Sequence, residues 1–243
     1  HPRVLKRLEG RRATMSSSCL TTSEISDLFA AEIGSHSGRI TDTFDDGLRL
    51  FVRSVVPQFA DVRPNDRVQG GVALKATLHE ICVYPYVLRE VCSNGAVMAH
   101  SLQSVRLDRS HEETEEALSS SICEAIAACS QKKVFARSVS EIRSSVHDDI
   151  NFALTMLPMI SRMSGRLSGE MTRMILERFF DEEKPSRFTL MNAVTSVARD
   201  TRDPEARWRL EELGGGIAAR LLPKSPASAP GVARDLPRVA ALR

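Results

Sequence analysis

The sequence predicts an α+β fold, with an antiparallel β-meander in the N-terminal half and a helical C-terminal half. Residues 48–107 are rich in β-branched side chains and are divided by short turn signals, which is typical of consecutive strands. After residue 110 the apolar residues recur at intervals of three and four, the spacing of amphipathic helices. Because strands with short connections pair with their sequence neighbours, we expect a sheet first and helices packed against it second.

Composition places one globular unit between two basic ends. The chain has 243 residues, 42% hydrophobic and 26% charged, as in an ordinary globular protein. We expect a flexible or appended arm over residues 1–20, a single α+β domain over 21–220 and a disordered Pro/Ala-rich tail over 221–243. Each end is basic, and residues 15–219 carry a net charge of −6. Overall charge therefore does not predict a nucleic-acid-binding domain, and such a function must depend on a local patch.

The β half begins with a short helix, expected over residues 23–34 with Ser23 as its N-cap. Strands are expected over residues 48–56, 67–78, 81–91 and 96–107. The pair Gly70-Gly71 predicts a β-bulge. Asn94-Gly95 predicts a turn in which Gly95 takes a positive φ, and Cys92 beside it is expected to be buried. We therefore expect Cys92, Asn94 and Gly95 to form a structural corner.

The helical half shows start signals at several points. Capping boxes are predicted at Ser110–Glu113, for a helix ending at Lys132-Lys133, and at Ser138–Glu141, for a helix reaching residue 160 and kinked near Pro158. Further helices are expected over residues 170–180 and 188–199. Asp203-Pro204 predicts a last helix with Asp at N-cap and Pro at N1, and glycines 214–216 are expected to end it.

The sequence contains no catalytic motif of a known type, so it favours a non-enzymatic role without a cofactor. One enzymatic alternative rests on His147-Asp148-Asp149, which contains a His-Asp doublet of the kind that a metal-dependent hydrolase would use. The competing interpretation is that these residues are polar surface of a helix. A zinc ion held by His79, Cys82, Cys92 and His100 is a second alternative, but their spacing fits no finger or ribbon. We therefore predict no metal site.

Cysteine usage and hydropathy favour a reducing compartment. The chain has five cysteines and no CxxC pair, unlike a secreted disulfide framework. No apolar run approaches the roughly 18 residues of a membrane span, and no export signal is visible. We expect a cytoplasmic protein without a membrane partner.

One group of residues suggests contact with nucleic acid. Tyr84 and Tyr86 lie two apart on a predicted strand and so point to the same face, and Arg89 follows them. Exposed aromatic rings beside arginine on a sheet can stack the bases of a single strand. A loosely basic region completes the predicted surface: Arg106, Arg109, Lys132, Lys133 and Arg137. The alternatives are that the tyrosines are core residues and the cations solvated surface.

Residues 63–95 carry a resemblance to a known family. They include a Pro-x-Asp-x-Val-x-x-Gly entry into a strand and a later run formed by Tyr86, Leu88, Arg89, Cys92, Asn94 and Gly95. Residues 192–195 and 210–214 extend the likeness. This pattern resembles the phage/plasmid-like domain-of-unknown-function family numbered nine-three-two, over residues 45–220. The segment 76–80 departs from it. The resemblance implies a protein of a mobile genetic element, acting near DNA replication or recombination, and carries over no catalytic residue.

Three hypotheses follow. The first is a non-enzymatic factor that binds or anneals single-stranded nucleic acid and works as an oligomer. The second is a metal-dependent hydrolase of nucleotides or nucleic acid, which rests on His147-Asp148-Asp149 alone. The third is a factor that binds host proteins.

Overall fold

The computed structural model describes residues 20–109, 114–150, 167–182 and 184–220. Strands fill the N-terminal half and helices the C-terminal half, which confirms the predicted α+β class. The described strands are β1 (Arg39–Asp45), β2 (Leu50–Val55), β3 (Phe59–Arg63), β4 (Asp66–Ala76), β5 (Glu80–Arg89), β6 (Asn94–Val97) and β7 (Val105–Asp108). The described helices are α1 (Thr22–Ser35), α2 (Glu115–Cys129), α3 (Lys132–Val146), α4 (Gly169–Phe180), α5 (Arg187–Asp200) and α6 (Pro204–Ala218).

All strand pairs are antiparallel, in the order β1-β2-β4-β5-β6. The long strands β4 and β5 form the centre, paired without a register shift from Val68–Arg89 to Ala76–Ile81. Strand β3 pairs with the beginning of β4, and β7 pairs with the beginning of β5. The meander is therefore a central hairpin with shorter strands added along each side.

Alternation along the strands gives the sheet two differently covered faces. On the α2 face, Val72, Leu74, Ile81 and Val83 pack under α1 and α2. Further along the same face, Val68 and Val87 belong to a second cluster that includes side chains of α3, α4 and α5. On the α6 face, Ala73, Cys82, Tyr84 and Tyr86 pack with Phe51, Val97 and Trp208 of α6. Both faces of the central hairpin are therefore buried.

Several predicted boundaries are wrong in ways that have local causes. The predicted helix 110–133 is broken, because α2 ends at Cys129 and α3 begins at Lys132. Ser138 lies inside α3, where its hydroxyl donates to the Val134 carbonyl, so it caps nothing. Ser110, Glu113 and the predicted kink at Pro158 lie outside the described residues. The start at Asp203-Pro204 is confirmed, since the Asp203 side chain accepts from the Ala206 amide.

The glycine predictions are also corrected. Glycines 214–216 lie inside α6 instead of ending it, and a Cβ at Gly215 would collide with the Val97 carbonyl. Gly70 and Gly71 form no bulge against β5. A side chain at Gly70 would strike the ring of Phe135, and one at Gly71 the backbone of β2. These glycines therefore allow neighbouring elements to pack closely, and they do not serve to form turns.

Candidate functional site

The two tyrosines predicted to stack bases are core residues. Tyr84 is 8% exposed and Tyr86 3% exposed, on the face that α6 covers. The Tyr84 ring lies 6.0 Å from that of Trp208. Burial raises the pKa of both phenols. The stacking role predicted for them is therefore wrong, because alternation correctly puts both rings on one face but that face is occupied by a helix.

Arg89 is engaged in an interior ion pair. Its Nε and Nη2 donate to the two carboxylate oxygens of Asp66 at 2.5 and 2.8 Å, and Asp66 is only 3% exposed. Its Nη1 donates to Cys92 Sγ at 3.3 Å, and its guanidinium lies over the ring of Phe188. Arg89 thus links the β4–β5 hairpin to α5 and is not displayed for a phosphate.

The predicted basic region is divided between the two sides of the sheet. Arg106 pairs with Cys82 in register, so it lies on the α6 face, where it contacts Glu80 at 3.1 Å. Arg109 donates to the Thr77 carbonyl at 2.6 Å and to that of Leu20, which ties the end of β7 to the chain before α1. Lys132 follows α2, which packs on the opposite face. The structure therefore does not assemble the five cations into one surface.

The cations of α3 remain exposed and have an unusual setting. Lys132 and Lys133 occupy the first turn, where the positive end of the helix dipole disfavours cations. Gln131 at N-cap makes no side-chain hydrogen bond to the helix, whereas the other five described helices are capped by Ser, Thr or Asp. The first turn of α3 therefore lacks a side-chain cap and carries two exposed lysines.

The rest of the exposed side of α3 is also basic. Arg137 and Arg143 are both exposed, and we call the set Lys132, Lys133, Arg137 and Arg143 the α3 basic face. Arg137 contacts Glu141 at 3.4 Å. Arg143 donates to the backbone carbonyl of Asp61 in β3 rather than to a carboxylate, so its charge is not neutralised there.

An exposed aromatic ring, which the sequence pattern did not indicate, is carried by β3, the strand whose start lies beside the start of α3. The Gln58 amide donates to the Ser130 carbonyl at 2.6 Å, which places the start of β3 beside the start of α3. The next residue, Phe59, is 44% exposed, and the Arg67 guanidinium lies 4.2 Å from its ring centre. Strand β3 has only five residues and lies outside the predicted strands, so no pattern pointed to it.

The residues that carry the family resemblance come together in space. Asp66, Arg89, Asn94, Asn192 and Thr195 all lie where the β5–β6 hairpin meets α5. Gly214 of α6 packs on the same helix, since a Cβ there would strike Thr195. Segments more than 100 residues apart in the chain thus build one joint between the sheet and the helices.

The predicted corner at Cys92, Asn94 and Gly95 differs in detail. Cys92 is half-buried rather than buried, and the positive φ of the turn belongs to Ser93, at 53°. Gly95 is already in β6, and a Cβ on it would overlap the Tyr86 hydroxyl and ring. Glycine is needed at position 95 for close packing and not for backbone conformation.

A small cavity lies inside the joint. Its volume is about 10 Å³, and Arg89, Asn94, Phe188, Asn192 and Thr195 are among the residues that line it. The side-chain oxygens of Asn94 and Asn192 are buried, and the described part of the chain offers neither of them a hydrogen-bond donor. Both asparagines are more than nine-tenths buried.

The alternative catalytic residues do not form a centre. Asp148 accepts from Arg187 at 2.5 Å and contacts Arg220 at 3.1 Å, and Asp149 contacts Lys184 at 3.5 Å. These ion pairs fasten the end of α3 to the start of α5.

The zinc alternative is not assembled either. His79 lies in an exposed turn and Cys82 in the core, while His100 contacts Glu141 at 2.8 Å. Within the described residues, no three His, Cys, Asp or Glu side chains form a group that could hold a metal ion.

Comparisons with protein-family models, curated proteins and solved structures give no match to this chain. None of the helices described above has the length and apolar character that a membrane span requires.

Proposed function

We propose that this protein binds single-stranded nucleic acid with little sequence preference, through the α3 basic face and through Phe59, which lies on the neighbouring strand β3. The observation that carries the proposal is the first turn of α3, where two lysines stand at an uncapped helix N-terminus. Both features lower the stability of α3, and departures from a local sequence rule are expected at functional or strained sites. The same features attract phosphate groups.

The α3 basic face supplies the charge that a nucleic-acid backbone requires. Its four cations lie along one exposed side of a 15-residue helix, accompanied by Glu141. Lysine and arginine at such spacing neutralise successive phosphates without reading base edges. This local patch supports binding even though residues 15–219 are acidic overall.

Phe59 supplies a stacking surface on the neighbouring strand β3, where it pairs with Gln69 and so points to the face of the sheet opposite α3. Exposed aromatic rings stack bases of any sequence, and an arginine over the ring adds a cation–π contribution. Phe59 with Arg67 has this arrangement. The base-stacking role that was predicted for Tyr84 and Tyr86 is thus assigned to Phe59, at the edge of the sheet. A role in replication or recombination of a mobile element, as the family resemblance implies, accords with such binding.

The decisive experiment measures binding and stability on the same variants of the full chain. Fluorescence anisotropy with a labelled oligothymidylate gives the dissociation constant at several salt concentrations. The double variant Lys132→Glu with Lys133→Glu removes two lysines that are proposed to bind phosphates, and it is expected to bind more weakly. The magnitude of its log–log salt slope should fall by about 1.4, since each single-strand phosphate contributes about 0.7. Thermal unfolding of this variant should shift upward, because acidic residues suit the first turn of a helix by about 0.3–1 kcal/mol each.

A matched control replaces exposed cations elsewhere. Arg173 on α4 and Arg209 on α6 are 65% and 59% exposed. The variant Arg173→Glu with Arg209→Glu makes the same change in net charge and should bind nearly as tightly as the wild-type chain. Equal losses in both double variants would show that overall charge or the basic ends drive binding, and would overturn the proposal for α3. Unchanged binding in both would place the contact outside the α3 basic face and would also overturn the proposal. A wild-type chain that does not bind even at low salt would move the host-protein hypothesis forward.

The stacking role has its own test. Phe59→Ala should weaken binding roughly 5- to 150-fold, the equivalent of about 1–3 kcal/mol for one stacked base, with the salt slope unchanged. Phe180→Ala removes an aromatic ring that is 59% exposed on α4 and serves as the control. A changed salt slope in Phe59→Ala would contradict stacking.

A further inference from the structure

We infer that the cavity between the β5–β6 hairpin and α5 is a binding site for one internal water molecule, which donates its two hydrogens to the side-chain oxygens of Asn94 and Asn192. This inference concerns the joint between sheet and helices and is independent of the proposed nucleic-acid function.

The two orphaned oxygens are the first observation. Asn94 is 5% exposed and Asn192 is 6% exposed, and neither side-chain oxygen has a hydrogen-bond partner among the residues that the structure describes. A buried acceptor without a donor is costly, and native proteins supply one from the chain or from ordered water. Both residues line one small cavity, Asn94 from β6 and Asn192 from α5, so a single donor inside it can serve both oxygens.

The size of the cavity restricts what that donor is. Its volume of about 10 Å³ is near the minimum that holds one water molecule. Its lining is mostly apolar but includes the polar residues Asn94, Asn192 and Thr195. The Thr195 hydroxyl donates to the Met191 carbonyl at 3.0 Å, so it offers a further acceptor and not the missing donor.

The charges around the cavity favour a neutral occupant. Arg89 is the charged residue in the lining, and its partner Asp66 is not part of it. A guanidinium beside the cavity opposes an ammonium or metal ion. An anion is opposed by the two amide oxygens, which are acceptors. Water is the occupant that is small enough, neutral and able to donate twice.

A high-resolution crystal structure of the full chain tests this assignment. One peak of electron density is expected within hydrogen-bonding distance of both Asn94 Oδ1 and Asn192 Oδ1. Asn192→Leu removes one acceptor and fills the space, so it should abolish the peak. Thr195→Val is the matched control, because it keeps both acceptors and should retain the peak.

Three outcomes would overturn the inference. One is an empty cavity in the wild-type chain, and another is a direct bond between the two amides after one of them is rotated. The third is an ion in place of water, recognised by its coordination distances or anomalous signal. If Asn192→Leu does not fold, the wild-type and Thr195→Val structures decide the question.

Discussion

The two faces of one sheet are packed by different chemistry. Beneath α2 the core is aliphatic, with side chains such as Leu74 and Ile81. Beneath α6 the same strands contribute aromatic rings and a fully buried arginine, Arg53, which is 1% exposed. Its Nε donates to Glu211 of α6 at 2.6 Å, and Glu211 is also 1% exposed. The α2 face is therefore packed mainly by aliphatic side chains, and the α6 face combines packing with a buried ion pair.

The ion pair is part of a network that spans three elements. Arg53 also donates to Asp42 of β1 at 2.9 Å, and Arg207 contacts both Asp42 and Glu211, at 3.1 and 3.2 Å. The Arg53 guanidinium lies 5.6 Å from the Trp208 ring. These bonds add directional polar contacts between α6 and the sheet, whereas α2 packs on the sheet mainly through apolar side chains.

Removing Arg53 is the largest expected perturbation of the α6 face. Arg53→Met leaves Glu211 buried without its closest cation, which destabilises a protein by about 3–5 kcal/mol. Urea unfolding followed by circular dichroism measures this change. Leu74→Ala on the α2 face, expected to cost about 2–5 kcal/mol through its cavity, provides the apolar comparison.

A double variant sharpens the comparison. Arg53→Met with Glu211→Met converts the α6 face to the chemistry of the α2 face and leaves Asp42 paired with Arg207. It should recover most of the stability that Arg53→Met alone loses. A double variant that is less stable than Arg53→Met would contradict the view that the uncompensated charge causes the loss.

A smaller effect is expected from the packing of Tyr86 on Gly95. Gly95→Ala forces the new methyl group into the Tyr86 ring and should destabilise the chain by about 1–3 kcal/mol. Tyr86→Leu removes the clashing part of the ring, so Gly95→Ala should cost less in that background. Thermal unfolding of the four proteins gives the coupling.

Gly34 supplies the control for that prediction. It lies in α1 with nothing near the position of a Cβ, so Gly34→Ala should be neutral or stabilise by up to about 1 kcal/mol. Equal effects of alanine at positions 34 and 95 would contradict the role assigned to close packing.

The fold class was predictable because it depends on patterns that are local in sequence. The β-branched segments around β2, β4 and β5 and the capping signal at Asp203 gave both the order and the type of these elements. Strand alternation also placed Tyr84 and Tyr86 on one face correctly. What alternation cannot give is whether a later helix covers that face, since this depends on contacts between residues more than 100 positions apart.

The glycines and the α2–α3 break show the same limit. Glycines 214–216 have the composition of a helix stop, yet their lack of side chains lets α6 approach the backbone of β6. The break between Cys129 and Lys132 has no proline or glycine to announce it. At the proposed binding face, Lys132 and Lys133 were predicted, but Phe59 was not, because its significance comes from β3 lying beside α3.

The smallest expected effect concerns Glu212, at the border of the α6 face. The Trp208 indole donates to its carboxylate at 2.8 Å, but burial dominates and raises the pKa of Glu212 above the ordinary value of 4.5. An acid whose pKa is higher in the folded chain takes up a proton on folding, so its contribution to stability falls as the pH rises through the folded pKa.

Glu212→Gln keeps a hydrogen-bond acceptor for Trp208 without the charge. It should raise the melting temperature by about 1–5 °C at pH 7 and have little effect at pH 4. Glu205→Gln, which removes a carboxylate that contacts Lys75 and Arg209, is the control and should not be stabilising at pH 7. Equal shifts at both pH values in Glu212→Gln would show that the charge of Glu212 is not what limits stability at this border.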